Sequence, residues 1–98
     1  MKYLLLPVLF VVGAATAQAD QALATKNNCM ACHAVDKKLV GPSYRDVAKK
    51  YAGTSADTLA ASIRKGGAGK WGPIPMPAQA QLSEVDAKKL ATWILNTK

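Results

Sequence analysis

Histidine is nearly absent from this sequence: His33 is the only one in 98 residues, and Cys29 and Cys32 are the only cysteines. Two cysteines three positions apart cannot build a disulfide framework, and any bridge between them would close a tiny loop. A closed zinc site needs four ligands; Cys29, Cys32 and His33 supply three, too tightly spaced for one tetrahedron. Acidic residues number 6 against 13 Lys and Arg, so little is available for carboxylate acid–base chemistry. No internal repeat, low-complexity run or strand-length alternation is present. Multidomain enzymes are excluded by length alone. The lysines are spread along the chain rather than gathered on one element, and aromatics are few. Both features disfavour nucleic acid as a partner.

The only long apolar run is at the start. Lys2 precedes an apolar stretch from Tyr3 to Val12, and Ala17-Gln18-Ala19 has the small-x-small pattern of a signal-peptidase site. Residues 1–19 are therefore expected to be a cleavable signal peptide, and residues 20–98 a single exported domain. That run is too short and wrongly flanked for a stable span, so no membrane insertion is expected of the mature chain. The expected mature chain has 79 residues, of which 14 are alanine and only 17 are Val, Ile, Leu, Met or Trp. A domain so small and so poor in large apolar side chains usually needs a staple or a cofactor.

The periodic segments predict about four short helices. The first is expected over Asp20–Asn28, with Asp20 as N-cap. The second covers Ser43–Ala52, where Tyr44, Val47, Ala48 and Tyr51 share one face. The third starts near Thr54 or Ser55 and ends at Lys65, before Gly66-Gly67. The fourth runs from Ser83 to about Thr97, with Ser83 and Asp86 at capping-box spacing and Ala87, Leu90, Ala91 and Ile94 on one face. Ala34–Pro42 reads as irregular. Gly66–Leu82 holds four glycines and three prolines and cannot be helical for most of its length. A loop that long in so small a domain is usually functional.

Cys29-Met30-Ala31-Cys32-His33 is a Cys-x-x-Cys-His motif, which reads as c-type haem attachment. Two thiols at this spacing add to the two vinyl groups of one haem, and the adjacent imidazole reaches the iron. In bacteria that attachment takes place outside the cytoplasm, in keeping with an export signal. A redox dithiol is the other reading of Cys-x-x-Cys, but it expects a βαβ pattern that is missing here. With histidine exhausted, Met76 is the best remaining candidate for the sixth iron position. It sits in Pro73-Ile74-Pro75-Met76-Pro77, where proline limits the backbone. Met30, between the cysteines, is badly placed to reach round. Trp71 and Trp93 are by default core residues, although an indole N–H can also bond a haem propionate.

Four stretches in order extend the motif: Lys26–His33, Val40–Ala48, Trp71–Pro77 and Leu90–Leu95. Together they resemble the small bacterial monohaem class I cytochromes c, the c-551/c-552 group. The resemblance implies an all-α cytochrome c fold wrapped around one covalent haem c, with first and last helices crossing. It implies His33 and Met76 as axial iron ligands and Cys29 and Cys32 as thioether links. It also implies a Pro42 carbonyl accepting from His33, and Trp71 near a haem propionate. In the family a second proline and then an asparagine often follow Met-Pro; here Ala78 and Gln79 follow Pro77. The function so implied is electron transfer in the periplasm, not enzymatic catalysis. A quinol-oxidising complex is the implied donor. A nitrite reductase, a terminal oxidase or a haem peroxidase is the implied acceptor, and the basic charge suits partners with acidic docking surfaces. The competing class is a five-coordinate haem protein that binds a gas or reduces peroxide, which requires Met76 to be off the iron.

Overall fold

Serine caps and glycine stops divide the chain, and the computed structural model, which describes residues 13–97, places helices between them. They are α1 (Gly13–Lys26), α2 (Tyr44–Lys50), α3 (Ala56–Lys65) and α4 (Glu84–Leu95), with a 3-10 turn at Cys29–Ala31. The described residues contain no strand beyond one isolated antiparallel bridge, Gly67 to Met76.

The three later helices begin close to the expected starts. The hydroxyls of Ser43, Ser55 and Ser83 accept from the backbone N–H groups of Asp46, Thr58 and Asp86, respectively. Each bond satisfies one donor that the first helical turn leaves unpaired. Acidic residues occupy all three first turns, as the helix dipole favours. Gly53, with φ of 81°, follows α2 in the left-handed region that a side chain would resist.

The first helix differs from expectation. It begins at Gly13 rather than Asp20, so Asp20 lies inside it and caps nothing. Between Gly13 and Lys26 the sequence has no Gly or Pro and is rich in alanine and glutamine, so nothing halts a helix before Asp20. The other end comes early, at Lys26. Asn27 N–H and its side-chain amide both donate to the Leu23 carbonyl, and Asn28 turns left-handed at φ 61°. Asparagine tolerates that conformation better than most residues. The expected signal segment falls largely on residues 1–12, outside the described residues, and the expected cut after Ala19 falls within α1.

α4 is the hub, packing on α3, α2 and α1. Its predicted face, Ala87, Leu90, Ala91 and Ile94, is buried throughout. Leu59, Ala60 and Ile63 meet it from α3, Tyr44 and Val47 from α2, and Ala24 from α1. Ala24, Ala87 and Ala91 are completely buried, and such small side chains let helix backbones approach closely. Two exposed ion pairs, Lys88–Asp57 at 3.3 Å and Arg64–Glu84 at 3.4 Å, lie outside this core. At the surface such pairs add little.

Leu90 is 2% exposed and sits where α4 faces its partners. Leu90→Ala is expected to cost about 3 kcal/mol, and Ser83→Ala about 1 kcal/mol, both read from guanidinium unfolding midpoints.

Candidate cofactor site

The left-handed Asn28 swings the chain out of α1 and straight into the 3-10 turn. Ala31 N–H donates to the Asn28 carbonyl, while Cys32 and His33 both donate to that of Cys29, at 3.2 and 3.0 Å. This tight winding puts Cys29, Cys32 and His33 on the lining of one cleft of about 1240 Å³. Both cysteines are half-buried. Burial pushes the Cys29 thiol above its ordinary value, opposed by the adjacent Tyr44 hydroxyl.

His33 is held on three sides. Its Nδ1 lies 2.8 Å from the Pro42 carbonyl oxygen. A carbonyl only accepts, so Nδ1 carries the proton and Nε2 of the neutral ring keeps its lone pair. The Tyr44 ring stacks on the imidazole at 5.1 Å between centroids and 20° between planes. Gly41 lies so close that a Cβ there would stand 2.5 Å from His33 Cε1. Gly41 is itself fixed by its N–H on the Cys32 carbonyl at 2.7 Å, and Tyr44 by its N–H on that of Ala34 at 2.9 Å. The edge of Trp93 meets Tyr44 at 5.2 Å. Gly41 and Tyr44 were not singled out from sequence as ring contacts; Gly41 beside Pro42 was the available signal.

Met76 reaches the same cleft from the long loop. The expectation was that prolines stiffen this loop, but the structure adds a more specific restraint. Met76 N–H donates to the Gly67 carbonyl at 2.8 Å, and Gly67 N–H donates back at 3.0 Å. Gly66, at φ 68°, runs so close that a Cβ would lie 2.5 Å from the Met76 carbonyl oxygen. Gln79 N–H donates to the Arg64 carbonyl, tying the far side of the loop to α3. The Gln79 side chain bonds Pro77 and Gln81. Met30 packs on the core instead and is not among the cleft residues.

Trp71 also lines the cleft, while Trp93 does not. Trp71 is 39% exposed, and the Lys50 ammonium lies over its ring at 4.4 Å. Leu59, Ile63, Leu90 and Ile94 from α3 and α4 form apolar lining, and the exposed Leu39, Val40 and Ile74 belong to the same cleft. The donor chemistry fits an apolar macrocycle around iron. It offers two thiols, one imidazole nitrogen with a free lone pair, one thioether sulfur, and apolar side chains otherwise short of a partner. Among the described residues no three His, Cys, Asp or Glu side chains gather into a group that could hold a metal ion.

Known proteins carry the same pattern. The family model described as cytochrome c matches residues 17–98. The chain is 54% identical over 84 residues to cytochrome c-552 of Nitrosomonas europaea, covering 84% of this chain and 82% of that one. It is 48% identical to cytochrome c-551 of Stutzerimonas stutzeri over the full length of both. The crystal structure of wild-type Nitrosomonas europaea cytochrome c552 superposes with a TM-score of 0.76 at 51% identity, covering 80% of this chain and 99% of that one.

Gly41→Ala is expected to displace the His33 ring and cost about 1–3 kcal/mol in thermal unfolding, the usual range for overpacking. Burial raises the Tyr44 phenol well above its ordinary value. The folded protein therefore keeps a proton that the unfolded chain loses near pH 10, and stability falls as pH rises beyond that point. Tyr44→Phe is expected to flatten the decline, measured as unfolding midpoint between pH 9 and 12.

Proposed function

The chain belongs to the cytochrome c family and is an electron-transfer protein carrying covalent haem c rather than an enzyme; on that premise we propose that it is a periplasmic one-electron carrier with His–Met ligation. Cys29 and Cys32 would hold haem c through two thioether bonds. His33 Nε2 and the Met76 sulfur would take the two axial positions. Haem supplies an iron that passes between Fe(II) and Fe(III).

The observation that carries the reading is the pairing of His33, whose Nδ1 is turned to the Pro42 carbonyl, with Met76 on one cleft, each held by backbone bonds at its own segment. With both positions so filled, no coordination site would remain for a substrate. The five-coordinate alternative would need Met76 to leave, and its reciprocal bonds to Gly67 oppose that. Methionine beside histidine favours the ferrous state relative to more basic pairs. The Pro42 carbonyl fixes the imidazole plane and increases its basicity. The Trp71 indole is proposed to stand near a haem propionate.

The exposed Leu39, Val40 and Ile74 offer a small apolar contact patch. Lys38, Lys65 and Lys70 line the same cleft against a single carboxylate, Asp46. That balance suits brief docking on acidic surfaces, in contacts of the small size typical of redox encounters. By family resemblance, the donor would be a quinol-oxidising complex, and the acceptor a nitrite reductase, terminal oxidase or haem peroxidase. Export would be accompanied by removal of residues 1–19, leaving Asp20 first. Among the described residues no helix is long and apolar enough to cross a membrane.

The ferric protein is expected to show the weak far-red band of iron–methionine bonding and a sharp low-spin reduced spectrum. Met76→Ala is expected to abolish that band, lower the potential and let carbon monoxide bind the ferrous protein. An unchanged spectrum in the variant would refute the assignment of Met76. Mass spectrometry of the exported protein checks the cut after Ala19.

A further inference from the structure

The segment Gly66–Gly72 has little of its own to hold one shape. Gly66, Gly67, Gly69 and Gly72 all have positive φ. Beyond Gly66, whose N–H donates to the Ser62 carbonyl of α3 at 2.9 Å, and the bridge to Met76, its backbone is closed by one bond, Gly69 N–H to the Gly72 carbonyl at 3.0 Å. Yet it carries Trp71, which lines the cleft. Two lysines that interlock across the gap supply the missing restraint. Lys50, the last residue of α2, donates from Nζ to the Lys70 carbonyl at 2.7 Å and stands 4.4 Å above the Trp71 ring. Lys70 reaches back, donating from Nζ to the Tyr51 hydroxyl at 3.2 Å, with its ammonium 5.5 Å from the Tyr51 ring centroid.

Read from sequence, these are two of many solvated lysines. Their partners in the fold are a carbonyl, a hydroxyl and two aromatic faces, while the ion pairs seen among the described residues use Arg64 and Lys88. Two like charges held on one short segment and its neighbour repel one another. Nothing in the latch neutralises them, so their field is free to act on an anionic group at Trp71.

We infer that Lys50 and Lys70 are positioning residues, latching the Gly66–Gly72 segment to the end of α2 so that Trp71 is fixed at the cleft and a positive field bears on the carboxylate edge of the bound cofactor, raising its reduction potential. The inference rests on the reading that haem c fills the cleft with its propionates toward Trp71. A cation near the redox centre stabilises the more electron-rich ferrous form, and salt weakens the effect because the lysines are exposed.

The test uses the holoprotein and four variants, Lys50→Gln, Lys50→Arg, Lys70→Gln and Lys70→Glu. Two quantities are followed: reduction potential at low and high ionic strength, and hydrogen exchange of the Trp71 indole N–H. Lys70→Gln should lower the potential, and Lys70→Glu about twice as far, since the charge change doubles. Both shifts should shrink in high salt. Lys50→Gln should lower the potential and speed indole exchange about tenfold, the combined effect of one hydrogen bond and one exposed cation–π contact. Lys50→Arg should restore both, because guanidinium also stacks and donates. Potentials within error of wild type in Lys50→Gln and both Lys70 variants, with an intact iron–methionine band, would overturn the inference alone. Equal shifts for Lys70→Gln and Lys70→Glu would overturn it too, reducing Lys70 to packing. Absence of the iron–methionine band from the unaltered protein would remove the reading on which it rests.

Discussion

One hydrogen bond sets the chemistry of the cleft: the imidazole N–H of His33 on the Pro42 carbonyl at 2.8 Å. It decides which nitrogen is free and, with Gly41 and Tyr44 against the ring, which way that nitrogen faces. The 3-10 turn places His33 beside Cys29 and Cys32, but a turn alone would leave the ring free to rotate. The irregular chain from Ala34 to Pro42 therefore has a purpose. It loops out and returns so that a carbonyl and a bare glycine meet the imidazole, then enters α2 at Ser43. The aromatic contact continues inward through Tyr44 to Trp93 on α4, so His33 is anchored to the core rather than to a surface loop.

The same core shows why a cofactor belongs here. α4 collects the other helices around Leu90, Ala91 and Ile94, and alanine supplies much of the contact. Alanine buries little area, so hydrophobic gain per residue is low. Leu59, Ile63, Leu90 and Ile94 contribute both to this core and to the cleft. A covalently tethered macrocycle against them adds the apolar volume that the chain does not encode. Structure and redox function thus draw on the same surface, and the ligand-bearing segments are packed against the element they complete.

Legibility varied with how local the cause was. The cap at Ser83 depends on a residue three positions away and was readable, as were the helix starts near Ser43 and Ser55 and the buried face of α4. Asp20 failed as a cap because an N-cap works only where the preceding residues leave the helix, and Ala-rich sequence before it does not. The Met76 loop was readable as ordered and functional. Its restraint was not, because Gly67 and Met76 pair across nine positions of irregular chain. Gln79 bonds its own loop, at Pro77 and Gln81, a choice that residue type alone does not reveal.

By itself the sequence determined the all-α class, three of the helix starts, the covalent haem motif and the shortage of any iron ligand beyond His33 and methionine. Those are matters of composition, short spacing and elimination. Tertiary structure decided which nitrogen of His33 is free, that Met76 rather than Met30 lines the cleft, and that Gly41 and Gly66 must lack side chains. It also turned Lys50 and Lys70 from scattered charges into a latch around Trp71. Each of those outcomes depends on groups far apart in sequence meeting within a few ångströms, and the path that brings them together is set by packing against α4.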